Sequence, residues 1–138
     1  GLASGRTNLQ TALGHWFGQL TRGRHSPGHL LADPGKASAC KRLHLYLRWM
    51  VRSDQVDPGG WRCLTPADLI IPLDTHMHTI GRHLGFSNRR QADLRTALEI
   101  TDGFRAFCST DPVRYDFSLT RLGIRSELDI NLLPKSLP

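Results

Sequence analysis

The chain has 138 residues, 39% of them apolar, enough for one small domain with its own core. Lys+Arg 18 against Asp+Glu 12 give a net charge of +6 and a sequence pI ≈ 9.9, a balance that favours a polyanionic partner, nucleic acid first. No apolar run reaches the ~20 residues of a bilayer span, no signal-peptide pattern opens the chain, and Cys40, Cys63 and Cys108 are too few and too scattered for a disulfide framework, which points to a reducing, intracellular setting.

Hydrophobic spacing predicts an all-α chain. Leu9, Leu13, Trp16, Phe17 and Leu20 recur at helical intervals, so an amphipathic helix is expected over about 8–22, with Trp16 in the core. Pro27, Pro34 and several glycines make 23–35 a loop, whose Arg24, His25 and His29 are candidate partner contacts. Ser38 is the expected N-cap of a helix running to about Arg52. Its apolar face is Ala39, Leu43, Tyr46, Leu47 and Met50, which turns Lys41, Arg48 and Arg52 to the other side, toward a groove shared with Leu45.

Asp57-Pro58-Gly59-Gly60 is a turn. Thr65-Pro66 opens a short helix with a cap and a proline at the first position, and Pro72 should end it. Asp74 caps the next helix. Met77, Ile80 and Leu84 form its buried side, Gly81 permits a close neighbour, and Gly85 is its stop. Ser87 or Asn88 begins a further helix carrying Leu94, Ala97, Leu98, Thr101, Phe104 and Phe107. Asp111-Pro112 opens the last, which ends near Leu122 with Gly123 as its stop. The domain is therefore expected over residues 1–124, followed by an irregular tail over 125–138.

Two residues suggest chemistry. Lys41 lies in the first turn of a helix and Asp74 at the entrance of another. A neutral lysine amine can attack the anomeric carbon of a nucleotide as its base departs, giving an iminium that can eliminate the downstream phosphate. The positive end of a helix disfavours a further positive charge there and favours an ionised carboxylate. That carboxylate can stabilise the oxocarbenium-like sugar and move protons. Without any such chemistry, Lys41 is an exposed helix lysine and Asp74 an N-cap worth ~1 kcal/mol.

The segments Ala39 to Arg52, Leu69 to His76 and Tyr115 to Ile124 resemble an uncharacterised bacterial family, domain of unknown function 2400, from about Pro34 to Ile124. That family is similar in turn to the helix-hairpin-helix base-excision DNA glycosylases. Leu73-Asp74-Thr75-His76, followed by Arg82-His83-Leu84-Gly85, is similar to the segment bearing their catalytic aspartate. The archaeal 8-oxoguanine glycosylase branch has its lysine about as far upstream as Lys41 stands here, 33 positions before Asp74. The resemblance implies an all-α helical bundle like the catalytic half of the glycosylase fold. It further implies an N-glycosylase with AP lyase activity on a damaged base, an oxidised purine being the best guess. Lys41 would be the Schiff-base nucleophile and Asp74 the essential carboxylate.

The glycine-rich hairpin of those enzymes is reduced here to Pro34-Gly35, no iron–sulfur cysteine cluster follows the last helix, and relatives are longer at the N-terminus. The implied partner is duplex DNA with a damaged or abasic site, in the bacterial cytoplasm at the nucleoid, with no cofactor. Lys36, Arg48, Arg52, His76 and Arg82 are candidate DNA contacts, and Trp49 and Trp61 candidate base-stacking platforms. Two other readings are open. A non-catalytic DNA-binding domain could keep the same fold. A hydrolase could use a metal on His76, His78 and His83, although a zinc site wants a further ligand that no cysteine or carboxylate clearly offers.

Overall fold

A computed structural model describes residues 2–22 and 31–124, with side chains from Leu9 to Arg22 and from Leu31 to Arg121. The expected partner loop residues Arg24, His25 and His29 and the tail 125–138 lie outside the described residues. Five α-helices follow in order: α1 Leu2–Thr21, α2 Lys41–Val51, α3 Thr75–His83, α4 Leu94–Arg105 and α5 Asp116–Ile124, with a 3-10 turn at Pro66–Asp68. Among the described residues there is no β-strand, only the isolated bridges Ser38–Asp93 and Ser53–Pro58. None of the described helices is long and apolar enough to cross a membrane.

The core is built around α3. Met77 and Ile80 are fully buried and α3 packs on α5 and α4. Gly81 makes the α3–α4 approach possible: a Cβ there would lie 2.4 Å from Ile100 Cδ1. The extended run Leu69-Ile70-Ile71 threads beneath these helices, completely buried. Such a strand-like segment needs its backbone satisfied. Ile71 N–H donates to the buried Thr101 hydroxyl at 3.0 Å, and Arg105 Nη2 donates to Ala67 O at 3.0 Å.

Local chemistry sets several boundaries as expected. Asp74 caps α3 by accepting Met77 N–H at 2.8 Å. Gly85 follows α3 at φ 76, the left-handed region that favours glycine. Thr65 and Asp68 form a capping box around Pro66.

Other boundaries move. The cap of α2 is Cys40, not Ser38, and its φ 43 is the left-handed region, costly for a residue with a Cβ. Ser38 instead uses its hydroxyl to accept Cys40 N–H at 3.3 Å, and the Cys40 thiol is buried 3.7 Å from Ala32 O. α4 starts at Leu94 with Asp93 as cap, its carboxylate accepting Thr96 N–H at 2.9 Å. Residues 87–92 form an ordered loop because Ser87 bonds Glu99 at 2.5 Å and Arg89 bonds Asp93 at 2.5 Å. α5 starts at Asp116, since the Asp111 carboxylate is drawn to Arg52 rather than to a helix end. Gly123 lies inside α5 and does not stop it.

Trp16 is 42% exposed, against its expected place in the core. Leu9 and Leu13 are buried, but Leu20 is exposed like Trp16. Periodicity shows which residues share a face, not how far along the helix that face is covered.

Candidate active site

Lys41 is the first residue of α2 and Asp74 the cap of α3, so each side chain leaves from the head of a helix. The two heads converge. Lys41 Nζ lies 3.2 Å from Asp74 Oδ2, with the lysine side chain 48% exposed and the carboxylate 16%. Asp74 divides its oxygens, since Oδ1 holds the α3 cap at 2.8 Å. The carboxylate therefore has a fixed orientation while the amine keeps access to solvent.

The pair borders an open cavity of ≈ 260 Å³. One wall is α2, through Leu45, Arg48 and Trp49; the opposite wall is α5, through Asp116, Phe117 and Arg121. Pro72 and Val56 close the sides. The lining is mainly apolar, with a few charged groups converging on it, the usual character of a small-molecule site. Its volume has room for a planar ring system.

Behind the cavity lies a buried charge network. Arg48 Nη2 meets Asp57 Oδ1 at 2.9 Å, and its Nη1 donates to Asp116 Oδ2. Arg52 donates from Nη1 to Asp57 and from Nε to Asp111 at 2.9 Å, and its Nη2 lies 2.8 Å from Asp54. Arg48 and Arg52 are only 2% and 7% exposed. They were expected on the DNA-facing side of α2; they are inside, with their donors taken by carboxylates, and are not available to phosphates. Burial pushes the Asp116 carboxyl up to about 6; the Asp74 and Asp57 charges act in the same direction and Arg48 opposes them.

The remaining expected contacts are at the surface. Lys36, His76 and Arg82 are exposed. Trp49 and Trp61 are 43% and 40% exposed; Trp49 lines the cavity, whereas Trp61 packs edge-on against Tyr46 at 5.7 Å. Tyr46 is itself exposed, not on the buried face of α2. His78 Nε2 lies 2.9 Å from Arg89 O. No three His, Cys, Asp or Glu side chains converge as a metal site among the described residues, so the histidine hydrolase reading lacks a ligand set there.

Sequence reasoning missed Asp116, Phe117, Thr120 and Arg121 as cavity residues. Their block, Tyr115 to Ile124, carried part of the family resemblance, but nothing local shows that it faces Lys41.

A family model matches residues 3–125, nearly the whole chain. The chain belongs to the DUF2400 family of proteins of unknown function. Apart from the first residue of α1, the match takes in the five described helices, including both heads that carry Lys41 and Asp74. No curated protein and no solved structure matches the chain.

Proposed function

We propose that this protein is a base-excision DNA glycosylase with AP lyase activity, acting through a Schiff base at Lys41. The observation that carries the reading is the 3.2 Å approach of Lys41 Nζ to Asp74 Oδ2 at the mouth of a ring-sized cavity. Asp74 accepts a proton from the Lys41 ammonium, freeing the lone pair for attack on C1′ of the nucleotide. Having passed that proton to water at the open mouth of the cavity, the ionised Asp74 stabilises the positive charge that develops on the sugar. The base, rotated out of the duplex, occupies the cavity beside Trp49 and Phe117, whose aromatic faces are sequence-tolerant stacking partners.

Three further features support the reading: the net charge of +6, the exposed Lys36, His76 and Arg82, and the resemblance to glycosylases in the segment that begins α3. A half-exposed lysine at the mouth of a cavity differs from a merely solvated one because its amine can be reached by a ligand that the cavity orients.

The test is borohydride trapping on a duplex with a preformed abasic site. Wild type should form a covalent protein–DNA adduct and Lys41→Ala should form none. If Lys41→Ala traps as much as wild type, the lysine has no such role. If wild type traps nothing but still binds duplex in a salt-dependent way, the chain is a binding module that keeps the fold.

A further inference from the structure

Of the two carboxyl groups that line the cavity, Asp74 and Asp116, the reaction above leaves Asp116 without a task. It stands at the first position of α5, 4% exposed, on the wall facing Lys41 and Asp74. Arg48 donates to Oδ2, which leaves Oδ1 to carry a proton. We propose, resting on the glycosylase reading, that Asp116 is the proton donor to the departing base.

The chemistry balances as follows. The C1′–N bond to the base breaks and its electron pair stays on the base. The Oδ1 proton moves to an acceptor atom of the base ring, so the base leaves neutral. The Lys41 lone pair closes the C1′–Nζ bond, and the surplus proton on Nζ passes to the Asp74 carboxylate 3.2 Å away. Lys41 and Asp74 alone leave the base to depart as an anion.

Burial first, and then the Asp74 and Asp57 charges against Arg48, raise the Asp116 carboxyl to about 6, so that a minor fraction of it carries a proton near neutral pH. The charged groups around it are Lys41 and Arg48 from α2, Asp57 from the following loop, Asp74 from the head of α3, and Arg121 from its own helix. Asp57 is fully buried and is already paired with Arg52. Asp116 therefore shares with Asp57 a guanidinium, while Asp74 adds a second negative charge nearby. Its carboxyl at about 6 holds a useful protonated fraction at the pH where many DNA enzymes work.

The experiment compares two reactions of the same protein under single-turnover conditions. One is base release from duplexes carrying 8-oxoguanine, hypoxanthine or uracil at one position. The other is trapping on the preformed abasic duplex, which has no base to protonate. For wild type, the ratio of release to trapping should fall about tenfold per pH unit above 6. Asp116→Asn should slow release about 100-fold, leave trapping within about threefold, and lose the pH dependence of the ratio. Asp116→Glu should recover part of the release.

Arg48 keeps its Asp57 bonds in the asparagine variant, and a urea melt of that variant reports its fold. Should it not fold, the wild-type ratio decides alone. A flat wild-type ratio, or release and trapping lost together in a folded Asp116→Asn, would overturn the donor role. Trapping without release of any of the three bases would overturn base excision as well, leaving only a lyase. Absence of trapping by wild type would instead overturn the Lys41 reading on which the donor role rests.

Discussion

Asp74 serves two helices at once: Oδ1 accepts Met77 N–H at 2.8 Å inside α3, and Oδ2 meets the Lys41 ammonium of α2 at 3.2 Å. The cap fixes the carboxylate, and the carboxylate in turn orients the amine. A helix cap is usually a local stabilising device. Here it also sets the distance between the two groups proposed to do chemistry.

Substitution of Asp74 separates these tasks. Asn caps a helix about as well as Asp but carries no charge. Asp74→Asn should change stability by no more than about 0.5 kcal/mol, because the lost ion pair involves a half-exposed lysine. Asp74→Ala should cost about 1 kcal/mol through the lost cap. Trapping on abasic DNA should fall at least tenfold in both, and urea melts read alongside will show that the asparagine variant loses activity without losing its fold.

Arg48 should be among the residues least tolerant of replacement. Its guanidinium is buried between Asp57 and Asp116, so Arg48→Met leaves two buried carboxylates short of a partner. Breaking a buried pair from one side costs about 3–5 kcal/mol. Adding Asp116→Asn to that variant should return about 1–2 kcal/mol, because one of the stranded charges is gone. A double-mutant cycle from denaturant midpoints measures this coupling. Strict additivity of the two substitutions would show that Arg48 and Asp116 do not interact in solution.

His44 predicts a pH dependence. The ring is 1% exposed with Nδ1 unpartnered, and burial lowers its pKa from 6.5 to about 4. The unfolded chain then binds a proton that the folded chain refuses between those values. Stability from this group is present above pH 6.5 and is lost as pH falls toward 4. Asp116 works the other way: its folded pKa is raised from 3.8 to about 6, so the fold gains from this group as pH falls through the same window. The two partly cancel in wild type, and a variant must be compared with it. The stability difference between His44→Leu and wild type should shift in favour of the variant by up to about 3 kcal/mol between pH 7 and pH 4. Parallel stability curves over that range would mean that His44 is solvated.

Much of the local architecture is legible in the amino-acid sequence because it rests on neighbours along the chain. The Asp74 cap, the Thr65-Pro66 start, the Gly85 stop and the small residue at Gly81 each follow from backbone hydrogen bonds and sterics within a few positions. The helical content is of the same order. Ser38 misleads because its hydroxyl satisfies Cys40 N–H instead of a helix end.

The tertiary structure alone decided which charges are inside. A helical wheel turns Arg48 and Arg52 away from the apolar face of α2, toward a groove shared with Leu45, because it weighs only the residues of that helix. Asp57, Asp111 and Asp116 arrive from three other segments and compensate the buried guanidiniums, so the wheel fails where long-range pairing outweighs desolvation. The same holds for the 3.2 Å between Lys41 and Asp74. Each position is set locally at a helix head, but their meeting depends on how those heads pack across the core, and no spacing along one chain encodes that distance.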